Sequence, residues 1–94
     1  MIKTKPYKTS DYLKTNEDRA AYIQVVMEEQ DDELLLLAIC EVIDSLGGIG
    51  QMSKKTGLAR ESLYRSLSEQ GNPRYSTLTK VLNELGLKLN VVAK

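Results

Sequence analysis

The sequence predicts an all-α fold of five to six short helices, and three observations carry that expectation. Apolar residues recur at helical spacing through 16–29, 34–46 and 77–85. Residues 51–67 read as two short helices parted by Gly57. Strand-like alternation occurs only in Leu87-Lys88-Leu89-Asn90-Val91, which predicts one short C-terminal strand.

Residues 1–9 are basic, contain Pro6 and read as an extended arm, and residues 10–13 read as one helical turn. Thr15 with Asp18 three positions on resembles a capping box and opens a helix to about Glu29. The apolar positions of that helix are Ala20, Ala21, Ile23, Val25, Val26 and Met27, with Tyr22 as a staple. Asp31 or Asp32 caps the next helix, where further acids suit the positive end of the dipole. Residues 34–46 are apolar nearly all round and predict a central buried helix that ends at Gly47-Gly48.

Met52, Ser53 and Thr56 line the inner face of the first helix of the 51–67 pair, and Gly57 ends it by accepting positive φ. Leu58 points inward, and the second helix starts at Arg60 with Leu63 and Leu67 on its buried side. Two short helices joined through a Gly-containing turn, with polar residues on the outer face of the second, describe a helix-turn-helix. Such a unit inserts one helix into the major groove of DNA. Residues 69–75 read as a turn-rich loop, and Ser76 caps a last helix over 77–85 with Leu78, Val81, Leu82 and Leu85 inward. A lone strand at 87–91 needs a partner, either a second copy of the chain or a neighbouring segment.

Composition narrows the function. Ninety-four residues suit one domain, an acidic N-terminal part over 1–46 and a DNA-binding half over 47–94. The net charge is zero, yet residues 1–46 hold five basic side chains against ten acidic ones, and residues 47–94 hold eight against three. The two parts therefore carry −5 and +5, so one can neutralise phosphates while the other faces a basic partner. Cys40 is the one cysteine and makes no internal disulfide, which fits a reducing cytoplasm. The longest apolar run, 34–40, falls far short of the ~20 residues that cross a membrane, and no signal peptide is evident. With no His, no Cys/His cluster and no nucleophile motif, catalysis, a metal and a cofactor are not expected. The segment Gly47-Gly48-Ile49-Gly50 lacks the Lys-Ser/Thr of a phosphate-binding loop and reads as a helix end with a tight connection.

At this point the chain resembles the antidote (antitoxin) proteins of bacterial addiction modules, within the lambda-repressor/Cro-type helix-turn-helix group. The resemblance rests on Tyr12-Leu13, Ala21-Tyr22 and Gly57-Leu58-Ala59-Arg60-Glu61-Ser62-Leu63-Tyr64-Arg65-Ser66-Leu67. It continues in Gly71-Asn72-Pro73, Thr77-Leu78, Lys80-Val81-Leu82 and Leu85-Gly86-Leu87. It implies an operon partner, a toxin similar to the RelE/ParE group, and repression of the operon's own promoter by a homodimer. In the wider Cro-type group the first, second and sixth residues of the recognition helix read bases, which here are Arg60, Glu61 and Arg65. Arg suits guanine O6 and N7, and Glu suits cytosine N4. Ser62 and Tyr64 supplement them, and Gln51, Lys55, Asn72 and Arg74 complete the expected DNA-facing set. The chain departs from the group at Ala59, where a capping Ser is usual, and at Ile49, where a Gln is usual. Two alternatives remain: an interaction module without DNA binding, and a free-standing repressor with no toxin.

Overall fold

In the computed structural model, residues 12–68 and 72–94 are described. They form five helices: α1 Asn16–Met27, α2 Asp32–Ser45, α3 Gly48–Thr56, α4 Arg60–Ser66 and α5 Tyr75–Glu84. The predicted all-α class holds. α1 packs on α2, α2 on α3, and α3 carries both α4 and α5.

The starts of α1 and α2 follow local chemistry. The Thr15 hydroxyl accepts from the Asp18 N–H at 3.0 Å, and an Asp18 carboxylate oxygen accepts from the Thr15 N–H at 3.2 Å. This is the capping box read in the sequence. Asp31 caps α2, its Oδ1 accepting from the Leu34 N–H at 3.1 Å. α2 then runs through the middle, with Ile39, Val42 and Ile43 essentially without solvent contact. Leu63, Leu67, Val81, Leu82 and Leu85 come from the C-terminal half to the same cluster.

Several boundaries differ from the expectations. α3 opens at Gly48 rather than near Gln51, so Gly48, Ile49 and Gly50 form its first turn and not a connection. Half-buried Ile49 packs on the core there and makes the early start favourable. α5 opens at Tyr75, and Ser76 is inside the helix instead of capping it. The extended backbone of Arg74 presents its carbonyl to the Leu78 N–H at 2.9 Å, which closes the first turn without a side-chain cap. No strand forms over 87–91 or elsewhere among the described residues. A single extended segment has no ladder to join within one chain. Of the helical turn expected over 10–13, residues 10 and 11 lie outside the described residues, as do the arm over 1–9 and residues 69–71. Leu13 is buried in irregular backbone ahead of α1.

In α1 only Ile23 and Val26 of the expected apolar set are buried, while Ala20, Ala21, Val25 and Met27 face outward. Tyr22 is not a staple: half-buried, its hydroxyl donates to the Glu41 carboxylate of α2. Arg19, one of the five basic side chains of 1–46, is buried; its guanidinium donates to the Leu13 carbonyl at 3.0 Å and to Asn16 Oδ1 at 2.7 Å. It thereby ties the entering chain to the first turn of α1.

Cys40 lies half-buried on α2, its thiol 3.5 Å from the Leu67 carbonyl. Burial, then the charges of Asp44 and Glu41, push its pKa up. A raised pKa leaves less thiolate at any neutral pH, and thiolate is the reacting species. Labelling by an anionic disulfide reagent at pH 7–8 is therefore expected to be at least about tenfold slower in the folded protein than in urea. Equal rates in the two states would contradict the placement of Cys40.

Candidate nucleic-acid interface

The connection between α3 and α4 is only three residues long, and side chains of α3 shape it. Gly57 adopts φ +78°, a left-handed conformation that lets the chain leave the helix sharply. Its N–H donates to the Ser53 carbonyl at 2.9 Å. The Ser53 hydroxyl donates to the Leu58 carbonyl at 2.7 Å, while Thr56 Oγ1 donates to the Met52 carbonyl at 2.8 Å and accepts from the Leu58 N–H at 3.1 Å. Two hydroxyls thus satisfy backbone groups that a tight turn would otherwise leave unpaired. Sequence reasoning put both residues on the inner face of the helix but missed this task. Leu58 packs against the core as expected.

α4 is anchored from below. Leu63 and Leu67 are 1% and 2% exposed, spaced four residues apart on one face. That anchoring leaves Arg60, Glu61, Ser62, Tyr64 and Arg65 all exposed on the rest of the helix. At i, i+4 spacing Arg60 stands above Tyr64, and Glu61 above Arg65. Ala59 stands at the N-cap with no side-chain hydrogen bond, in keeping with the departure noted in the sequence. Gln51 and Lys55 are exposed on α3, again four residues apart.

Between α4 and the start of α5 runs a shallow groove of about 200 Å³. Ser62, Asn72 and Arg74 line it together with Leu58, Ser66 and Thr77. The fold therefore gathers three of the nine expected residues that are separated by up to twelve positions in the chain. Gln51, Lys55, Arg60, Glu61, Tyr64 and Arg65 are outside that groove. Tyr75, absent from the expected set, is the most exposed aromatic of the described residues at 74% and follows Arg74 directly. Its signal in the sequence was an aromatic next to an Arg after Gly-Asn-Pro.

Lys54, Lys55, Arg60, Arg65, Arg74 and Lys80 are exposed on α3, α4, α5 and their connections, against two acids, Glu61 and Glu84, among the described residues over 48–84. The surface is cationic with flexible donors, suited to phosphate oxygens and to acceptors on base edges. No group of three or more His, Cys, Asp or Glu capable of holding a metal occurs among the described residues. None of their helices is long and apolar enough to cross a membrane.

A family model described as "Probable addiction module antidote protein" matches residues 3–93. A protein of Haemophilus influenzae described as uncharacterized is 30% identical over 87 residues, covering 93% of this chain and 89% of its own length. No solved structure matches the chain.

The connection itself is open to test. A methyl group at Gly57 meets no neighbouring atom, so Gly57→Ala isolates the backbone strain of a left-handed residue. It is expected to destabilise by about 1–2 kcal/mol in urea unfolding with the helical circular dichroism retained. An unchanged midpoint would mean that position 57 does not need positive φ.

Proposed function

The chain belongs to the family of addiction module antidote proteins, and from that premise we propose that it is the antitoxin of a type II toxin–antitoxin module. In this reading α3 and α4 act as a helix-turn-helix of the lambda-repressor/Cro type, and the protein represses its own operon as a homodimer. One domain in the cytoplasm does both jobs, without catalysis. Its partner is a basic toxin of the RelE/ParE kind.

The observation that carries the DNA-binding part is the exposure of Arg60, Glu61, Ser62, Tyr64 and Arg65 of α4 above two fully buried leucines. A helix held only by Leu63 and Leu67 presents three faces outward and can enter a major groove without losing its packing. Arg60 and Arg65 take guanine edges, Glu61 takes cytosine, and Ser62 and Tyr64 add contacts to bases or phosphates. Gln51 and Lys55 approach the sugar–phosphate backbone from α3. The groove bearing Ser62, Asn72 and Arg74 suits one phosphate, held by a guanidinium and short polar groups. One such helix reads a few base pairs, so two copies on half-sites about 34 Å apart supply the affinity. The acidic part of the chain, which carries Glu17, Asp18, Glu28, Glu29, Asp31, Asp32 and Glu33 in and around α1, offers the charge that a basic toxin matches.

The test uses duplex DNA from immediately upstream of the gene, and the product of the adjacent gene as toxin. Arg65→Ala is expected to lose about 1–3 kcal/mol of discrimination between this duplex and a scrambled one, with the same melting temperature. Affinity of the parent protein should fall steeply as salt rises, since bound phosphates release counterions. Inhibition of the toxin should persist in Arg65→Ala. A flat salt response, or discrimination untouched in both Arg60→Ala and Arg65→Ala, would overturn the assignment of α4.

A further inference from the structure

A groove of about 600 Å³ runs between α1 and the segment that follows α5. Its apolar lining comes from Ala20, Ile23 and Met27 of α1, Leu82 of α5, and Leu87 and Leu89. Glu17 and Glu28 stand at its two ends, one near each terminus of α1. The segment beyond α5 is aimed by Gly86, at φ +81°, where a Cβ would collide with the Asn16 side chain. Residues 87–94 then run outside helix and strand, Leu87 to Asn90 and Val92 sharing the groove with α1, and among the described residues none makes a backbone hydrogen bond with 88–94. Leu87 packs on the core, but Val91 is 93% exposed and Val92 76%.

An apolar groove and an irregular segment of alternating apolar residues with unused backbone donors and acceptors thus lie side by side on one chain. We propose that the occupant of the groove is the 87–94 segment of a second copy, paired with the resident segment in a two-stranded ribbon across a two-fold axis. Edge pairing supplies main-chain hydrogen bonds, and alternate side chains fill the groove. A two-stranded ribbon alone is marginal in water, and the floor of Ala20, Ile23, Met27 and Leu82 provides the helical support that it needs. The charges agree with this occupant. The segment carries Lys88 and Lys94 and no acidic side chain, whereas α1 and its C-cap bring Glu17 and Glu28 to a groove whose one cationic lining residue is the resident Lys88. Each copy contributes both an insert and a groove, which is the self-complementarity of an isologous contact. The interface would also restore the strand alternation at 87–91 that a single chain leaves without a ladder. This inference rests on the dimer in the reading above and names its contact.

Sedimentation of the full-length protein, alongside operator binding on the same samples, tests it. The parent chain is expected to be a dimer at micromolar concentration. Val91→Asp/Val92→Asp alters only exposed side chains, and should weaken the dimer at least tenfold with an unchanged thermal melt. Glu28→Lys should weaken it as well, and Glu28→Lys with Lys88→Glu should recover part of the loss. A monomeric parent chain, or a dimer indifferent to Val91→Asp/Val92→Asp, overturns the interface. In the second case intact operator binding leaves the function standing and places the dimer contact elsewhere. Conversely, a dimer lost on Val91→Asp/Val92→Asp whose parent shows no preference for the operator supports the interface and sinks the DNA-binding reading.

Discussion

Burial of α2 between α1 and α3 is the constraint on which the other elements depend. The chain has no Phe or Trp, so its core is assembled from Leu, Ile, Val and Met. Ile39, Val42 and Ile43 are at most 1% exposed. Each contributes about 1.5–3 kcal/mol when fully removed from water, so these three side chains alone rival a large share of a small domain's net stability. α2 contacts α1 and α3 directly, and α3 in turn carries α4 and α5. The candidate interface is therefore two layers from the centre. α4 has seven residues, too few to persist as an isolated helix, and is held in place by Leu63 and Leu67.

The same arrangement separates the charges. Acids concentrate around α1 and the start of α2, where several also suit the helix N-termini; exposed bases concentrate on α3 to α5. Zero net charge consequently hides a strongly polar molecule. An anion is drawn to the bases of α3 to α5 and a cation to the acids around α1, each steered by the local field and not by the total. Half-buried and buried polar residues are spent on backbone: Ser53 and Thr56 on the turn, Ser66 on carbonyls of α4, Arg19 on the Leu13 carbonyl. Among the acids, Asp18 and Asp31 cap α1 and α2 and Glu41 is joined to Tyr22.

What sequence alone determined is what short-range chemistry decides. The Thr15–Asp18 box, the Asp31 cap, the left-handed Gly57 and the Leu63/Leu67 stripe each involve residues at most four positions apart, and the structure reproduces them. The burial of α2 was legible for a related reason: a helix apolar on nearly every side has no solvent face to offer. Exposure of the polar residues of α4 followed once its buried stripe was known. Tertiary structure decided the rest. The three-residue extension of α3 depends on a core for Ile49 to pack against, and the start of α5 at Tyr75 depends on the path of the chain through Pro73 and Arg74. Burial of Arg19, the Tyr22–Glu41 bond, the groove shared by Ser62, Asn72 and Arg74, and the absence of a strand at 87–91 are all of this kind. Helical caps and turns are settled by neighbours in the chain, whereas the fate of a buried guanidinium or an extended edge is settled by whichever distant surface comes to meet it.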